Sequence, residues 1–281
     1  MKAIPSSWGN GITLINVLPM EDYLKGVVPS EIVPSWRMDA IKAQAVAART
    51  YATYHRNGYR SSGYDVTDDT RTQVYRGFSA ETAATNRAVS ETAGEVVTYA
   101  GKPIDALFHS SGGGFTENSE NVWGSVIPYL RGVKEESSTY LMTPWKKTMT
   151  MASFTKSLEN AGYKIGDLKS IKLSHLKKGE ANHSSDRGIS GRVKSVVFVG
   201  KKGRATVSGE RLQRLYGLDS TLFDISAKGK ELTITGYGYG HGLGLSQWGA
   251  EAMAEKHGDG KNYYKTILSH YFTGTKIEKI Y

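Results

Sequence analysis

Residues 39–55 read DAIKAQAVAARTYATYH, and they contain the strongest helix signal in the chain. Six of these 17 residues are alanine, the best helix former, whose small side chain lets neighbouring elements approach closely. Apolar residues recur at helical spacing and predict one apolar stripe, formed by Ile41, Ala45, Ala48 and Ala52. We therefore expect a helix over 39–55, with Ser35 or Asp39 as its cap.

Two cations interrupt this helix. Lys42 and Arg49 are seven residues apart and therefore share a face. A cation in a buried helix needs an anion, and three kinds are open: Glu31, another carboxylate or a ligand. The alternative is that both cations simply lie on the exposed face of an amphipathic helix.

Short strands and short helices follow each other irregularly on either side of the alanine-rich segment. Strands are predicted at 11–18, 96–99, 103–108, 192–199 and 232–235, and helices at 80–92, 152–161 and 208–217. Residues 19–26 predict a helical turn, and 29–34 predict a loop that carries Glu31. Because strands and helices do not alternate regularly, the sequence predicts the α+β fold class. We expect mixed sheets and short helices, arranged as two lobes around a cleft.

Composition excludes several kinds of protein. The chain has 281 residues, 39% of them hydrophobic, which is enough for a sizeable core and argues against disorder. No apolar run approaches the roughly 18 residues that a membrane span needs, and residues 1–10 have no signal-peptide features. Cysteine is absent, which excludes disulfides, thiolate metal sites and a cysteine nucleophile.

The positive charge is concentrated in one segment. Residues 134–230 hold 19 basic and 9 acidic residues, a net of +10, whereas the rest of the chain holds 17 and 18, a net of −1. A basic lobe favours polyanions such as nucleic acid, anionic lipid head groups or wall teichoic acid. The alternative is a solvated surface without a specific partner. No nucleic-acid-binding signature accompanies the charge, so we expect no nucleic acid partner.

Glu31 is the first candidate for chemistry. Its neighbours Val28, Ile32 and Trp36 are apolar. A carboxyl in apolar surroundings has a raised pKa and can act as a general acid near neutral pH. The alternative is an exposed loop carboxylate or a helix cap.

Two glycine-rich segments follow predicted strands and each carries a histidine. The first, His109-Ser-Ser-Gly-Gly-Gly114, has neither the ending of a phosphate-binding loop nor the Gly-x-Ser-x-Gly pattern of a nucleophile elbow. The second, residues 236–249, alternates glycine with tyrosine and histidine, and aromatic rings beside a cleft suit sugar rings. Of the histidines, only His109 and His241 lie in such turns, and cysteine is absent, so a zinc site would need carboxylate ligands and we expect no metal.

Taken together, the motifs strongly resemble the stage II sporulation protein D family, which also includes LytB-like amidase enhancers. The motifs that carry this resemblance span nearly the whole chain and occur in the family's order: Glu21–Glu31, Ala40–Tyr51, Gln73–Gly77, Phe108–Gly114, Glu117–Gly124, Ser190–Val193, Gly217–Phe223 and Gly238–Ala250. One departure is that Ile32-Val33-Pro34 follows the glutamate, where usual members have Met-Pro.

The resemblance implies a peptidoglycan lytic transglycosylase that acts on the septal wall during engulfment in sporulation. The family's catalytic glutamate falls on Glu31. In such an enzyme the muramoyl C6 hydroxyl attacks the anomeric carbon and gives a 1,6-anhydro end, so one carboxyl can act first as acid and then as base. The candidate substrate-binding residues are Lys42, Arg49, His109, Ser110, Tyr237, Tyr239, His241 and Gln247.

The resemblance also implies the setting of the protein. We expect a single catalytic domain over 1–281 with a basic sub-lobe at 134–230, and peptidoglycan glycan strands as the partner. Other engulfment proteins, such as an amidase, are further candidate partners. The expected location is extracytoplasmic, at the cell wall or sporulation septum, with membrane attachment only through a segment outside this chain. Some family members hold zinc with cysteines and a histidine; this chain has no cysteine, so we expect no cofactor. The alternative function is a non-catalytic wall-binding amidase enhancer.

The basic segment makes binding to the wall testable. Attraction between surface charges is screened by salt, so binding of residues 134–230 to an anionic wall polymer should weaken as salt is added. We expect retention of the protein on purified sacculi to fall steeply between low and moderate ionic strength. Retention that does not depend on salt would contradict this expectation.

Overall fold

Small sheets and short helices make up both parts of the chain, which confirms the α+β class. The structure is a computed structural model that describes residues 1–6, 9–136, 140, 143–258, 260 and 262–281. The chain divides into a first unit, residues 1–107 with 253–281, and a second unit, residues 108–252. No helix in these described ranges is long and apolar enough to cross a membrane.

The first unit is built around helices from both ends of the chain. Its elements are β1 (Lys2–Pro5), β2 (Ile12–Ile15), α1 (Met20–Glu31), α2 (Met38–Tyr54), α3 (Ala83–Glu91), β3 (Glu95–Tyr99), β4 (Lys102–Pro103), α8 (Tyr263–Tyr271) and β13 (Lys276–Lys279). Strands β1 and β2 form an antiparallel hairpin, and β3 lies between β13 and β4 in an antiparallel sheet.

Helix α2 is the centre of the first unit. It is buried on nearly every side, because α1, α3, β3 and α8 all pack against it. The predicted helix is confirmed, but the predicted single stripe is too narrow, since small alanines let neighbours approach from all directions. The predicted cap is wrong as well. Arg37 occupies the cap position, and the Asp39 carboxylate accepts hydrogen bonds from the backbone N–H groups of Gly260 and Tyr264 instead.

Helix α1 extends further than the sequence pattern predicts. The loop predicted at 29–34 is wrong at its start, because Pro29 lies inside the helix and Glu31 is its last residue. Proline removes one helical hydrogen bond, but burial of Leu24, Val27 and Val28 stabilises the helix through that position. The Ile32 N–H still donates to the Val28 carbonyl at 3.0 Å and closes the final turn.

The second unit, which contains the basic segment 134–230, holds three further sheets. Its elements are β5 (Phe108–His109), α4 (Ser119–Trp123), β6 (Trp145–Thr150), α5 (Met151–Asn160), β7 (Leu168–Lys172), β8 (Ser195–Gly200), β9 (Arg204–Ser208), α6 (Gly209–Tyr216), β10 (Phe223–Lys228), β11 (Glu231–Gly236) and β12 (Leu245–Ser246). The strand orders are β10-β11-β6 and β7-β8-β9, both antiparallel, and β12-β5, which is parallel. The unit boundary falls inside α7 (Gln247–His257).

The core of the second unit lies between these sheets and two helices. Phe154 of α5 contacts Phe198 of β8 and stacks on Tyr216 of α6 at 4.7 Å between ring centroids. Helix α6 begins and ends as the sequence predicts: the Ser208 side chain accepts a hydrogen bond from the Arg211 N–H, and Gly217 ends the helix in the left-handed conformation. The short β5–β12 pairing brings the two glycine-rich segments side by side.

Both cations of α2 have carboxylate partners within the first unit. The Lys42 ammonium lies 2.5 Å from a carboxylate oxygen of Glu91. Arg49 is fully buried and donates from Nε and Nη2 to the two carboxylate oxygens of Glu21, at 2.9 and 2.7 Å. Of the three anions left open by the sequence, the structure therefore shows another carboxylate for each cation.

The Arg49–Glu21 pair should carry much of the stability of the first unit. Replacing Arg49 by Met keeps an apolar chain but removes the cation beside the Glu21 carboxylate, which then keeps the Tyr281 hydroxyl and the Gly94 N–H as donors. Removing one partner of such a buried pair typically costs about 3–5 kcal/mol of unfolding free energy. Urea unfolding followed by circular dichroism measures the loss.

The matched control is Arg87→Met. Arg87 lies 3.2 Å from Glu91 in an exposed pair, and such pairs contribute under about 1 kcal/mol. An Arg49→Met protein that unfolds at the wild-type urea concentration would contradict the role given to Arg49.

Candidate functional site

Glu31 is half-buried at the last position of α1. One of its carboxylate oxygens, Oε1, accepts a hydrogen bond of 2.8 Å from the backbone N–H of Val74. Burial raises the pKa of the Glu31 carboxyl above its usual range, and the Val74 N–H opposes this by stabilising the charged form. The carboxyl therefore holds its proton to a higher pH than an exposed glutamate does.

The segment 73–77 places the Val74 N–H opposite Glu31. The Tyr75 ring stacks on Tyr23 of α1, with 5.5 Å between ring centroids, and lies so close to Gly26 that a Cβ there would come within 2.5 Å of a ring carbon. The Arg76 N–H donates to the Gly26 carbonyl at 3.2 Å. Gln73 joins both helices, since it donates to an α2 carbonyl and accepts from the Tyr23 hydroxyl. Glycine at position 26 thus allows this segment to lie directly on α1.

Two tyrosines share the electrostatic environment of Glu31. Burial raises the pKa of Tyr23 above its usual range, and the Glu31 charge adds to the effect. Burial also raises the pKa of Tyr51 to about 12, with contributions from the Asp105 and Glu31 charges. Both hydroxyls are therefore neutral at physiological pH and can act as hydrogen-bond donors.

A histidine–aspartate pair lies beside Tyr51. The His55 ring contacts the Tyr51 ring at 4.1 Å between centroids, and His55 Nε2 lies 2.9 Å from a carboxylate oxygen of Asp105. Sequence reasoning missed this pair, although Tyr51 and His55 occupy consecutive turns of one face of α2 and its end. The charges of Asp105 and Glu31 therefore both act on the Tyr51 hydroxyl.

Lys42 and Arg49 were predicted to bind Glu31 or a sugar substituent. Their contacts with Glu91 and Glu21 give both side chains a role in holding helices together. Arg49 also donates to the backbone carbonyls of Val89 and Glu95, and its side chain is fully buried. Their membership of the substrate-binding set remains a prediction, and this geometry does not support it.

His109 lies in the second unit and is buried. Its Nδ1 lies 3.0 Å from the Leu243 carbonyl, and because a carbonyl only accepts, Nδ1 carries the proton. Burial, together with the nearby His241 and Arg192, holds the pKa of His109 well below its usual range, so the ring is neutral. Its Nε2 is buried and has no hydrogen-bond partner among the described residues.

His241 faces His109, with 5.3 Å between ring centroids. Its Nδ1 accepts a 3.0 Å hydrogen bond from the Leu243 N–H, so Nε2 carries the proton of the neutral ring and donates to the Phe108 carbonyl at 3.1 Å. The centroid of the Trp123 ring lies 6.0 Å from that of the His241 ring. The structure thus brings together the two histidines that the sequence singled out.

The other predicted residues of the second unit differ in exposure. Tyr239 is 58% exposed, and its backbone pairs with Ser111 in both directions. The Lys178 ammonium lies over the Tyr237 ring, 4.6 Å from its centroid. Gln247 is buried, and the Ser110 carbonyl accepts a hydrogen bond from the Trp248 N–H. Of this group, Tyr239 is the side chain most accessible to a ligand.

Two buried carboxylates near the histidine segment were not predicted as site residues. Glu117 accepts hydrogen bonds from the backbone N–H groups of Ile189 and Ser190 and from the Ser190 hydroxyl. Glu135 accepts from the Gly114 N–H at 2.8 Å, and burial raises the pKa of its carboxyl. The motifs at 117–124 and 190–193 carry the signal for the first of these contacts, since both belong to the resemblance described above.

A zinc site of the kind that the resemblance implies for some members does not fit these residues. The described part of the chain contains no group of three histidine, cysteine, aspartate or glutamate side chains placed to hold a metal. Both ring nitrogens of His241 are already bonded to backbone groups, which leaves His109 Nε2 as the single open nitrogen of the pair. The expectation of no cofactor stays a prediction.

Known proteins match the chain over most of its length. Residues 9–99 match the family described as Stage II sporulation protein, and 111–244 match a domain of unknown function (DUF8618). Stage II sporulation protein D of Bacillus subtilis is 34% identical over 93% of this chain and 75% of its own length. The chain belongs to the stage II sporulation protein D family.

Two other relatives extend the comparison. An uncharacterized protein of Brachyspira hyodysenteriae is 34% identical over 96% of this chain and 69% of its own length. The protein named amidase enhancer of Bacillus subtilis is 33% identical over 90% of this chain and 40% of its own length. The resemblance seen in the motifs is thus confirmed, and this member of the family is also related to a protein named for stimulating an amidase.

The raised pKa of Glu31 can be measured directly. In protein labelled with ¹³C-glutamate, we expect the Glu31 carboxyl resonance to titrate above the ordinary glutamate value of about 4.3, because burial disfavours the charged carboxylate. The Glu31→Gln variant assigns that resonance by removing it. A Glu31 resonance that titrates at or below the ordinary value would contradict the described environment.

Proposed function

We propose that the chain is a peptidoglycan lytic transglycosylase whose general acid and base is Glu31. The observation that carries this proposal is the half-buried Glu31 carboxyl, whose pKa is raised by burial and which is held by the Val74 N–H. A general acid works best when its pKa lies near the working pH, and burial moves a glutamate in that direction. Membership of the family supports the substrate class.

The reaction needs only one carboxyl. In the first step the Glu31 carboxyl gives its proton to the glycosidic oxygen as the bond from that oxygen to the muramoyl C1 breaks. The C6 hydroxyl of the same muramoyl residue then forms a bond to C1, and the Glu31 carboxylate takes the hydroxyl proton. The products are a 1,6-anhydro-muramoyl end and a free N-acetylglucosamine end, and Glu31 is protonated again.

The contacts of Glu31 suit both halves of this cycle. After the first proton transfer the side chain is a carboxylate, and the Val74 N–H stabilises that charged form. Before the transfer, burial stabilises the protonated form. The second carboxylate that ordinary glycosidases use as a base or nucleophile has no part in this scheme, because the C6 hydroxyl attacks C1 itself.

The family also indicates where the protein works. Stage II sporulation protein D relatives support a role in wall remodelling during sporulation, outside the cytoplasm at the septum or cell wall. Peptidoglycan glycan strands are then the main partner. An amidase is a second partner, supported by the relative named amidase enhancer.

That relative also supports a second candidate function. In this alternative the chain binds wall polymer without cutting it and stimulates an amidase. The two functions differ in one product, because only the transglycosylase releases anhydro-muramoyl ends from glycan strands.

The decisive variant is Glu31→Gln. Glutamine keeps the size of the side chain and can still accept from the Val74 N–H, so the fold should survive. It cannot give or take a proton, and we expect product formation to fall by about 10²–10⁴ or more, because both transfers use this group. Mass spectrometry of muropeptides released from purified sacculi and from denuded glycan measures anhydro ends. Wild-type activity should decline as pH rises through the raised pKa of Glu31.

The matched control is Glu255→Gln, an exposed glutamate of the same unit that lies far along the chain in α7. It should keep wild-type activity. Cleavage by Glu31→Gln at the wild-type rate would remove Glu31 from the role of acid. Wild-type protein that releases no anhydro ends from any glycan would instead favour the amidase enhancer.

A further inference from the structure

The β7-β8-β9 sheet of the second unit has one apolar face and one polar face. Its inner face packs against the core through Ile171, Phe198 and Val207. Side chains alternate between the two faces along a strand, so residues at the alternate positions lie on the opposite face. The register brings six of them together: Ser170 and Lys172 of β7, Val197 and Val199 of β8, and Arg204 and Thr206 of β9. We call this surface the outer face, and the mechanism at Glu31 does not use it.

The outer face is open to solvent and positively charged. Lys172, Arg204 and Thr206 are exposed, and Val197 is half-buried. The three strands contain Lys169, Lys172 and Arg204 but neither aspartate nor glutamate. None of these three cations forms an ion pair with a carboxylate in the described part of the chain. Cations without such partners on one open surface attract an anion from outside the chain.

The turn between β8 and β9 adds positive charge at one end of the outer face. The Lys201 N–H donates to the Asp167 carbonyl at 2.9 Å, so the turn lies on the segment before β7. The Lys201 ammonium pairs with the Asp167 carboxylate at 2.8 Å, and both Lys201 and Lys202 lower the pKa of Asp167. This carboxylate therefore faces two lysines, and Lys164 is a further exposed cation of the same segment. That end of the sheet stays positive.

A groove of about 430 Å³ borders the other end of the outer face. Its lining combines serine hydroxyls with apolar and charged side chains: Ile171, Lys172, Leu173, Ser174, Ser185, Asp186, Ser195 and Val197. The Asp186 carboxylate accepts from the Ser174 N–H at 2.7 Å and interacts electrostatically with the buried Arg187. Its charge is thus offset from behind, and the outer face continues into a groove lined with hydroxyl groups.

The spacing of the cations favours a chain of anions over a single small anion. Lys172 and Arg204 lie on strands that are separated by β8, which puts their backbones roughly 10 Å apart across the sheet. Successive anionic groups of a polymer can therefore each meet a different cation. Lysine and arginine are the side chains that bind phosphate, so a phosphate polymer fits this pattern.

The other side chains of the outer face indicate which phosphate polymer it suits. Binding of single-stranded nucleic acid relies on aromatic rings that stack on the bases. The aromatic residue of the three strands is Phe198, and it is buried in the core. Insertion into a lipid surface relies on large exposed apolar side chains, whereas Val197 and Val199 are half-buried. Serine and threonine hydroxyls match the alcohol groups of a polyol, because both donate and accept hydrogen bonds.

We propose that the outer face binds a teichoic acid, a wall polymer of polyol units joined by phosphodiesters. Its phosphates lie against Lys172 and Arg204, and Ser170 and Thr206 form hydrogen bonds with its hydroxyls. The choice of a wall polymer rests on the proposed function, which places the chain outside the cytoplasm. The outer face would give the second unit, whose residues 111–244 match a domain of unknown function, the task of attaching the chain to the wall.

The test measures binding of soluble poly(glycerol phosphate) to the full chain by isothermal titration calorimetry. The variant is Lys172→Gln with Arg204→Gln, which keeps both exposed side chains polar. We expect its affinity at low salt to fall by at least about tenfold, because two cations beside the polymer are lost. The slope of log affinity against log salt concentration should decrease by about two, one for each cation removed.

The matched control is Lys228→Gln with Lys230→Gln. Both lysines are exposed at the turn between β10 and β11 of the same unit, so this variant loses the same charge from a different sheet. It should keep the wild-type affinity and salt slope. If both double variants bind the polymer equally weakly, net charge rather than the outer face holds the polymer, and the proposal is overturned.

Two other polyanions test the choice of ligand. Single-stranded DNA with the same number of phosphates should bind more weakly than poly(glycerol phosphate), because the outer face offers no ring for its bases. DNA binding that is equal or tighter would overturn the choice of a teichoic acid. Vesicles of phosphatidylglycerol that sediment the wild type but not the Lys172→Gln, Arg204→Gln variant would overturn it in favour of a lipid surface.

The outcomes separate this inference from the proposed function. Poly(glycerol phosphate) contains no muramoyl residue, so Glu31→Gln should bind it as the wild type does. Anhydro product from a wild type that does not bind the polymer would overturn the role of the outer face and leave the transglycosylase standing. Polymer binding that is lost in the Lys172→Gln, Arg204→Gln variant, with no anhydro product from the wild type, would support the outer face and reject the enzyme.

Discussion

The first unit depends on one fully buried guanidinium. Arg49 of α2 holds Glu21 of α1 with two hydrogen bonds and also donates to the carbonyls of Val89 and Glu95, so it joins α1 to α3 and β3. Burial alone would raise the pKa of Glu21, but hydrogen bonds from Arg49 and Tyr281 lower it, which keeps the pair charged. Glu21 lies in the first turn of α1, and Glu31 is the last residue of the same helix. The ion pair that fixes the start of α1 therefore also helps to position the candidate acid at its end.

The second unit uses buried charge in a different way. Glu117 is satisfied by backbone and hydroxyl donors from residues 189 and 190, whereas Arg192 is satisfied on one side only. The other two nitrogens of Arg192, Nε and Nη2, are enclosed by the fold and have no hydrogen-bond partner among the described residues. The two units therefore hold a buried guanidinium in different ways: Arg49 is paired with a carboxylate, and Arg192 is held through Nη1 by backbone carbonyls and a hydroxyl.

The sequence predicts correctly those features that depend on neighbouring residues, such as helix propensity and helix caps. The helix over 39–55 follows from alanine propensity, and the caps of α6 follow from Ser208 and Gly217. The prediction that a loop begins at Pro29 was wrong. Helix α1 continues through Pro29, because burial of the preceding apolar residues outweighs one lost hydrogen bond. The prediction that Asp39 caps α2 was wrong, because the hydrogen-bond partners of its carboxylate lie more than 200 residues further along the chain. Glu31 could be singled out by its apolar neighbours, but its contact with Val74 joins positions 43 apart and has no local signal.

The environment of Glu31 balances two opposing influences, and a one-carboxyl mechanism needs both. Burial alone would make the carboxyl a reluctant acid, since the carboxylate left after proton transfer would be poorly stabilised. A carboxylate with several donors would stay ionised and have no proton to give. The Glu31 carboxyl lies between these limits, because it is half-buried and accepts a hydrogen bond from the Val74 N–H. Gly26 makes that balance possible, because only a residue without a side chain lets segment 73–77 lie on α1 at the height of Glu31. The chemistry at the end of the helix therefore depends on the missing side chain five residues before it.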